Sequence, residues 1–360
     1  MTRRLPPWAE NQPGPNRCGY YNQYNQGKRS VLLDLKNPRG VEVAKELVAL
    51  SDIVAENFAA GVMERLGLGY GELCKVKPDI IMISMSGYGA TGPEKDYVSY
   101  GPAQVPLSGL SSITGFPGFP PMHVGFSYGD PNAGLHGAVA LLCALMYRAR
   151  TGKGQHIDLS QWETSIALVN EGLMQQVMTG EAPKPMGNRD PHMAPHGLFR
   201  CRGSDSWISI AVADEEEWRA VCRVMARSEL ADDARFRTLA RRKANEDELE
   251  SLITGWTETL TADEATALLQ AEGVPAFAAV SNKDLAENPH LATREFFVEL
   301  EHPEVGVRRH AGVPWKMSAT PCRVRRPAPL HGADTDEVMS GLLGYSAEEI
   351  AALRERGVFA

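Results

Sequence analysis

Between residues 29 and 160, short apolar runs alternate with stretches of helical periodicity, and this alternation restricts the fold more than any other feature of the chain. The runs fall at 29–35 (RSVLLDL), 52–56 (DIVAE), 79–85 (DIIMISM) and 155–160 (QHIDLS). The third is apolar almost throughout, as a strand is when both faces of its sheet are covered. Between the first two, Asn37-Pro38 supplies an N-cap and a first-turn proline. Val41, Ala44, Leu47 and Val48 then recur at helical spacing. Further helices are expected near 62–66 and 70–75. Strands that alternate with helices pair in parallel, so the expected fold is α/β with a doubly wound parallel sheet.

A long Gly- and Pro-rich stretch covers 87–129, and long ordered loops of this kind are often functional. Asp130 then opens a long apolar helix that ends near Thr151-Gly152, with Arg148 and Arg150 in its last turn, where cations suit the macrodipole. Cys143, inside that apolar run, reads as a buried small hydrophobe. A second lobe is expected from about Gly180. It begins with a hairpin of 198–200 and 207–212 around Gly203-Ser204-Asp205 and continues with helices at 215–225, 246–257 and 262–272. A strand at 275–280 follows. After Asn288-Pro289, further strands lead to 323–326, and a helix at 346–356 closes the chain.

Composition narrows the function classes. The 360 residues carry a formal net charge of -8, which argues against nucleic acid as the main partner, although a local basic patch can hold a small phosphorylated ligand. The six cysteines include no CxxC pair, and no histidine cluster accompanies them at zinc spacing, so free thiols in a reducing cytoplasm are expected. His192 and His196 stand four apart, but Pro191 and Pro195 disfavour the helix that would bring them onto one face, and no metal site is expected. Gly67 to Gly71 reads as a turn between helices, and Gly152-Lys153-Gly154 as a helix cap. The N-terminal MTRRLPPWAENQPG lacks the apolar stretch of a signal peptide, and the longest apolar run, 138–147, is too short to cross a bilayer, so no membrane partner is expected.

Asp130-Pro131 taken alone reads first as a helix start, with a carboxylate able to accept from free N–H groups. The same placement suits chemistry. A carboxylate at a helix N-terminus is held ionised, the nearby N–H groups can stabilise an oxyanion, and carboxylates serve as covalent nucleophiles.

The stretch GDPNAGLH (129–136), followed by ALMYRARTGKGQHIDLSQWE, resembles the signature region of class III (CaiB/BaiF-type) coenzyme A-transferases, a family that includes formyl-CoA and carnitine CoA-transferases. GKRSVLLDLKNPRG and AENFAAGVMERLGLGY are similar to the family's CoA-binding stretches. Gly87-Tyr88-Gly89 and the tail from Arg326-Pro327 to Glu337-Val338 match as well. The resemblance covers nearly the whole chain. It implies that Asp130 is the nucleophile, with Tyr100 a further site residue. It also implies that Leu33, Lys36, Asn57, Phe58 and Arg65 contact CoA, with Lys36 and Arg65 nearest its phosphates. Several positions depart from the pattern. Tyr100-Gly101 stands where formyl-CoA transferases place Tyr-Glu, GNRDPHMAPHG replaces a glycine-rich lid, and Asp334 replaces a tail histidine.

The fold so implied is a Rossmann-like large lobe at 1–180, a smaller α/β lobe at 181–290, and a C-terminal segment, 291–360, that returns to the large lobe. Family members begin one βα unit earlier, so that unit is expected to be missing or supplied by a partner chain, and interlocked homodimers are expected. The implied reaction moves CoA from an acyl-CoA to a small carboxylic acid through an aspartyl intermediate, with CoA as substrate and no separate cofactor. Two other readings are an α-methylacyl-CoA racemase and a non-catalytic subunit or remnant. The racemases' histidine falls near Val98 or Ser99, where this chain has none, and the retained Asp130 argues against the remnant.

Overall fold

In the computed structural model, which describes residues 2–359, the alternation builds a three-stranded parallel sheet. Helices α1 (Gly19–Tyr24) and α2 (Pro38–Ala49) precede strand β1 (Ile53–Glu56). Next come α3 (Val62–Arg65), α4 (Tyr70–Val76) and β2 (Ile81–Ser86), then α5 (Gly101–Leu107), α6 (Leu110–Ile113), α7 (Gly129–Thr151) and β3 (Gln155–Ser160). After α8 (Gln161–Ile166) and α9 (Asn170–Thr179), strands β4 (His196–Arg200) and β5 (Trp207–Ala211) form the expected hairpin. Helices α10 (Glu215–Val224), α11 (Leu239–Ala244), α12 (Glu246–Thr257) and α13 (Ala262–Ala271) follow, then β6 (Ala276–Ala278). The chain closes with α14 (Asn282–Glu287), α15 (Pro289–Thr293), the hairpin β7 (Phe297–His302) and β8 (Gly306–Ala311), α16 (Thr335–Gly341) and α17 (Ala347–Glu355).

The parallel sheet has the order β1-β2-β3, with Ile53 opposite Ile81 and Ile81 opposite Gln155. Alternate residues of β2 face opposite ways, as the pleat requires. Met82 packs with Val48, Met63 and Leu73 from α2, α3 and α4, whereas Ile83 packs with Ala133 of α7 and Leu159 of β3. Helices therefore cover both faces, which is why β2 reads as an almost unbroken apolar run. Asn37 caps α2 through a bond from the Arg39 amide, with Pro38 at its start.

Residues 29–35 do not form the expected strand. The amides of Ser30, Leu32 and Asp34 donate to Asp334 Oδ2, Thr335 Oγ1 and the Val358 carbonyl, and Val31 and Leu33 pack on a cluster of Val43, Met339, Ile350 and Val358. Period-two apolarity marks an extended, half-buried segment, but it does not say what satisfies the backbone. Residues 323–326 are likewise outside any strand, and α5 and α6 interrupt what reads as one long loop.

Helix α7 is turned opposite to its composition. Small residues, Ala133, Gly137 and Ala144, face the sheet, while Leu135, Val139, Leu142 and Met146 are exposed. Cys143 is exposed with them and is not the buried residue its neighbours suggest. Gly152, in the left-handed region at φ 69°, ends the helix as the expected cap.

The chain divides into two compact units. The first holds 1–104, 127–165 and 287–360, so both ends of the sequence contribute to it. The second, 105–126 and 166–286, carries the antiparallel sheet β4-β5-β6 and a continuous core around Trp218, Phe236 and Ile253. Inside it, Arg242 is fully buried, donating to the Ala194 and Phe236 carbonyls and to Glu215 Oε2.

Candidate active site

The direction of α7 fixes where its first turn lies. Arg148, near its C-terminal end, bonds the Asp52 carboxylate at 2.7 Å and lies 3.8 Å from Asp79, and these two residues precede β1 and β2. Gly137, two turns into the helix, lies against Met85 near the end of β2. Helix α7 thus runs antiparallel to the strands, and its N-terminus comes to the sheet's C-terminal edge, where open parallel sheets place their ligands.

Asp130 is the second residue of α7 and sits at that edge. Its amide donates to the Ser127 carbonyl, but its carboxylate makes no hydrogen bond or ion pair among the described residues. The expected capping bond to helix N–H groups is not formed. Asp130 lies inside the first turn rather than at its cap, and its side chain turns toward Gly101, the first residue of α5. A Cβ built on Gly101 would lie 2.5 Å from Oδ2, 2.6 Å from Cγ and 2.7 Å from Oδ1. The outer side of Asp130 meets solvent, but the packed side desolvates the carboxyl and pushes its pKa above the ordinary carboxylate value, opposing the helix dipole. On α1, burial raises the Tyr20 phenol and the charge of Asp130 raises it further, which places that ring within the carboxylate's field.

Buried amides fix the main chain below the carboxylate. Gln104 of α5 donates to Ser99 Oγ at 3.2 Å and to Gln161 Oε1 at 2.9 Å, and Gln161 donates to the Met85 carbonyl. Asn132 of α7 donates to the Thr164 carbonyl at 2.7 Å. These bonds tie the starts of α5, α7 and α8 to the end of β2.

A cavity of about 260 Å³ opens at the same edge, lined by Glu56, Phe58, Arg65, Ser84, Ser86, Lys95 and His156 among others. Ser84 Oγ and His156 Nε2 lie 3.0 Å apart, and Tyr70 stacks on the imidazole at 5.5 Å. The buried Ser86 hydroxyl has no partner, and neither Arg65 nor Lys95 forms an ion pair among the described residues. Glu64 and Asp96 line it as well, so the surface mixes three carboxylates with the two cations and the free hydroxyl and offers both donors and acceptors to a polar, hydrogen-bonding ligand.

The residues singled out from sequence fall in different places. Phe58 and Arg65 line the cavity, with Asn57 next to Phe58 in the chain. Tyr100 is exposed and directly precedes Gly101. Leu33 packs against the C-terminal cluster, and Lys36 is exposed in the turn before α2; neither lines the cavity. Asp334, at the departing tail position, accepts from the Ser30 amide and pairs with Arg326. The sequence pattern marks Gly101 only as a departure from the Tyr-Glu of formyl-CoA transferases, and it does not single out Gln104, Gln161, Ser86 or Lys95. The one signal for the glutamines is that they are polar residues beside segments that otherwise pack. Among the described residues, no group of three His, Cys, Asp or Glu is placed to hold a metal, and no helix is long and apolar enough to cross a membrane.

Comparison with known proteins gives one consistent result. The family model described as CoA-transferase family III matches residues 1–335. The chain is 34% identical to the succinyl-CoA–D-citramalate CoA-transferase of Chloroflexus aurantiacus, over 92% of this chain and 83% of that protein. It is 32% identical to the succinate–glutarate CoA-transferase of Agrobacterium fabrum, over 94% and 84%. Among solved structures, a CaiB/BaiF family protein from Brucella suis superposes with a TM-score of 0.86 at 29% identity, covering 95% of this chain and 88% of that one.

Proposed function

The chain belongs to CoA-transferase family III, and on that premise we propose that it moves coenzyme A from an acyl-CoA to a carboxylic acid with Asp130 as the nucleophile. The observation that carries this reading is the uncommitted Asp130 carboxylate at the sheet's C-terminal edge. A carboxylate with no hydrogen bond or ion pair keeps its lone pairs for attack, and partial desolvation raises its nucleophilicity.

An Asp130 oxygen attacks the thioester carbonyl; the C–S bond breaks, and CoA leaves as the thiolate, giving a mixed anhydride. The thiolate attacks the Asp130 side of the anhydride, forms an aspartyl-CoA thioester and releases the donor acid as its carboxylate. The acceptor carboxylate attacks that thioester, and a second anhydride forms as the thiolate departs. The thiolate then attacks the acceptor's carbonyl, which yields the new acyl-CoA and restores the Asp130 carboxylate. No proton or external cofactor enters the balance. Two tetrahedral oxyanions form on Asp130's own carbonyl, at the positive end of the α7 dipole.

Phe58, Asn57 and Arg65 are the proposed contacts to CoA at the cavity, with Leu33 and Lys36 as further contacts from the segment before α2. Support for the first three comes from the cavity that Phe58 and Arg65 line, with its two unpaired cations and free Ser86 hydroxyl, whereas Leu33 and Lys36 rest on the family resemblance alone. Tyr100 is a proposed contact to the acyl group, from its position next to Gly101. Relatives named for succinyl, citramalate and glutarate chemistry make short dicarboxylic acids the first donors and acceptors to test. The first compact unit is the proposed Rossmann-like lobe and the second the smaller lobe. Pairing of two chains is supported by the exposed apolar stripe Leu135, Val139, Leu142 and Met146.

Incubation with succinyl-CoA and hydroxylamine tests the nucleophile. The expected product is a hydroxamate on Asp130, found by peptide mass, and loss of CoA transfer in Asp130→Ala. Full transfer by that variant overturns the assignment.

A further inference from the structure

We infer that Gly101 is a positioning residue for the nucleophile: the space left by its absent side chain holds the Asp130 carboxylate and sets the line along which it meets a thioester. The inference rests on the reading of Asp130 as nucleophile and extends it to a residue that makes no bond of its own to the reacting atoms.

Nothing in the backbone calls for glycine at 101. It is the first residue of α5, it is buried, and it is not among the glycines with positive φ. Alanine at a helix position with ordinary dihedrals is favoured over glycine. What glycine supplies is room. A Cβ there would lie 2.5–2.7 Å from all three carboxyl atoms of Asp130, well inside van der Waals contact.

The main chain cannot give way. Gly129, which precedes Asp130, is packed just as closely: a Cβ on it would lie 2.6 Å from Gln104 Oε1. Gln104 is itself held by Ser99 and Gln161. The starts of α5 and α7 are therefore locked against each other, and the part free to move is the Asp130 side chain. No hydrogen bond restrains it, so its resting place is decided by the bare Cα of Gly101. A methyl group at 101 turns the carboxylate outward, toward solvent, without disturbing the fold. A misplacement of about 1 Å in a reacting group costs on the order of 10²-fold in rate.

The test compares Gly101→Ala with Gly255→Ala, a control inside α12 with open space around its Cβ. Transfer kinetics, thermal unfolding and the Asp130 hydroxamate yield are measured for both, with Asp130→Ala alongside. Gly101→Ala is expected to lower kcat about 10²-fold and the hydroxamate yield with it, while KM for the thioester stays unchanged and Tm is equal or higher. Gly255→Ala is expected to leave kcat alone. Unchanged kcat in Gly101→Ala, or a loss accompanied by a lower Tm, overturns the inference. If Asp130→Ala is inactive while Gly101→Ala is fully active, this inference alone falls. If Asp130→Ala keeps transfer, the nucleophile assignment falls and takes the inference with it.

Discussion

The two ends of α7 treat charge in opposite ways. At the C-terminal end Arg148 is bonded to both the carboxylate and the carbonyl of Asp52, lies near Asp79, and is followed by a glycine cap. At the N-terminal end the Asp130 carboxylate has no ion pair among the described residues and is pressed against a bare Cα. The buried Arg242 of the second unit shows the first pattern carried furthest, with two carbonyls and a carboxylate around one guanidinium. A paired charge serves the fold. A charge left partly desolvated and unpaired costs stability, and such groups are candidates for chemistry.

The comparison is sharpest at Asp130. Replacement by Asn is expected to lower kcat at least about 10⁴-fold, as removal of a covalent nucleophile does, and to stabilise the protein at neutral pH. The sign follows from its raised pKa. Between the unfolded and folded pKa values the folded chain holds the proton more tightly, so stability falls as pH rises through that window and stays lower above it. The Tm advantage of Asp130→Asn should therefore shrink as pH drops toward the unfolded carboxylate value. An advantage that grows toward acid pH would contradict the desolvated site.

Arg242 should behave in the reverse sense. Arg242→Met leaves the Ala194 and Phe236 carbonyls without their donor and is expected to cost about 3 kcal/mol in denaturant unfolding. The remaining folded enzyme should keep its kcat. A large kinetic effect with intact stability would blur the distinction between the two kinds of charge.

Arg65 tests whether the unpaired cations of the cavity belong with Asp130. Arg65→Ala is expected to weaken CoA binding by about 1–3 kcal/mol in calorimetry, with little change in Tm. Unchanged affinity would make it an ordinary surface cation. The smallest effect is expected at Arg148, where substitution by Ala should lower stability by about 1 kcal/mol and leave transfer untouched.

Much of the fold is legible in the sequence because its signals are local. The apolar runs at 52–56, 79–85 and 155–160 become β1, β2 and β3, and Asn37-Pro38 caps α2. The hairpin of β4 and β5 and the helices α10, α12, α13 and α17 also fall where periodicity puts them. Periodicity is a property of neighbours in the chain, so it survives without knowledge of the fold. The family resemblance likewise rests on continuous stretches. The strand expected at 29–35 marks the limit. Its pattern correctly gives an extended, half-buried segment, but its bonding partners lie some three hundred residues away.

The sequence by itself determined that a carboxylate stands at the head of a long helix, and that this helix follows the apolar strand at 79–85. Only the tertiary structure decided what surrounds that carboxylate. Gly101 in the sequence is a departure from the Tyr-Glu of formyl-CoA transferases within a glycine-rich stretch, and nothing local shows that it faces Asp130. It matters because the winding of the parallel sheet returns α7 to the edge where α5 begins, and buried amides at 104, 132 and 161 lock the two starts together. The same winding turns the small residues of α7 inward and its large ones outward, against what composition alone suggests. Which groups meet across a fold depends on distances between segments remote in the chain, and no local pattern records them.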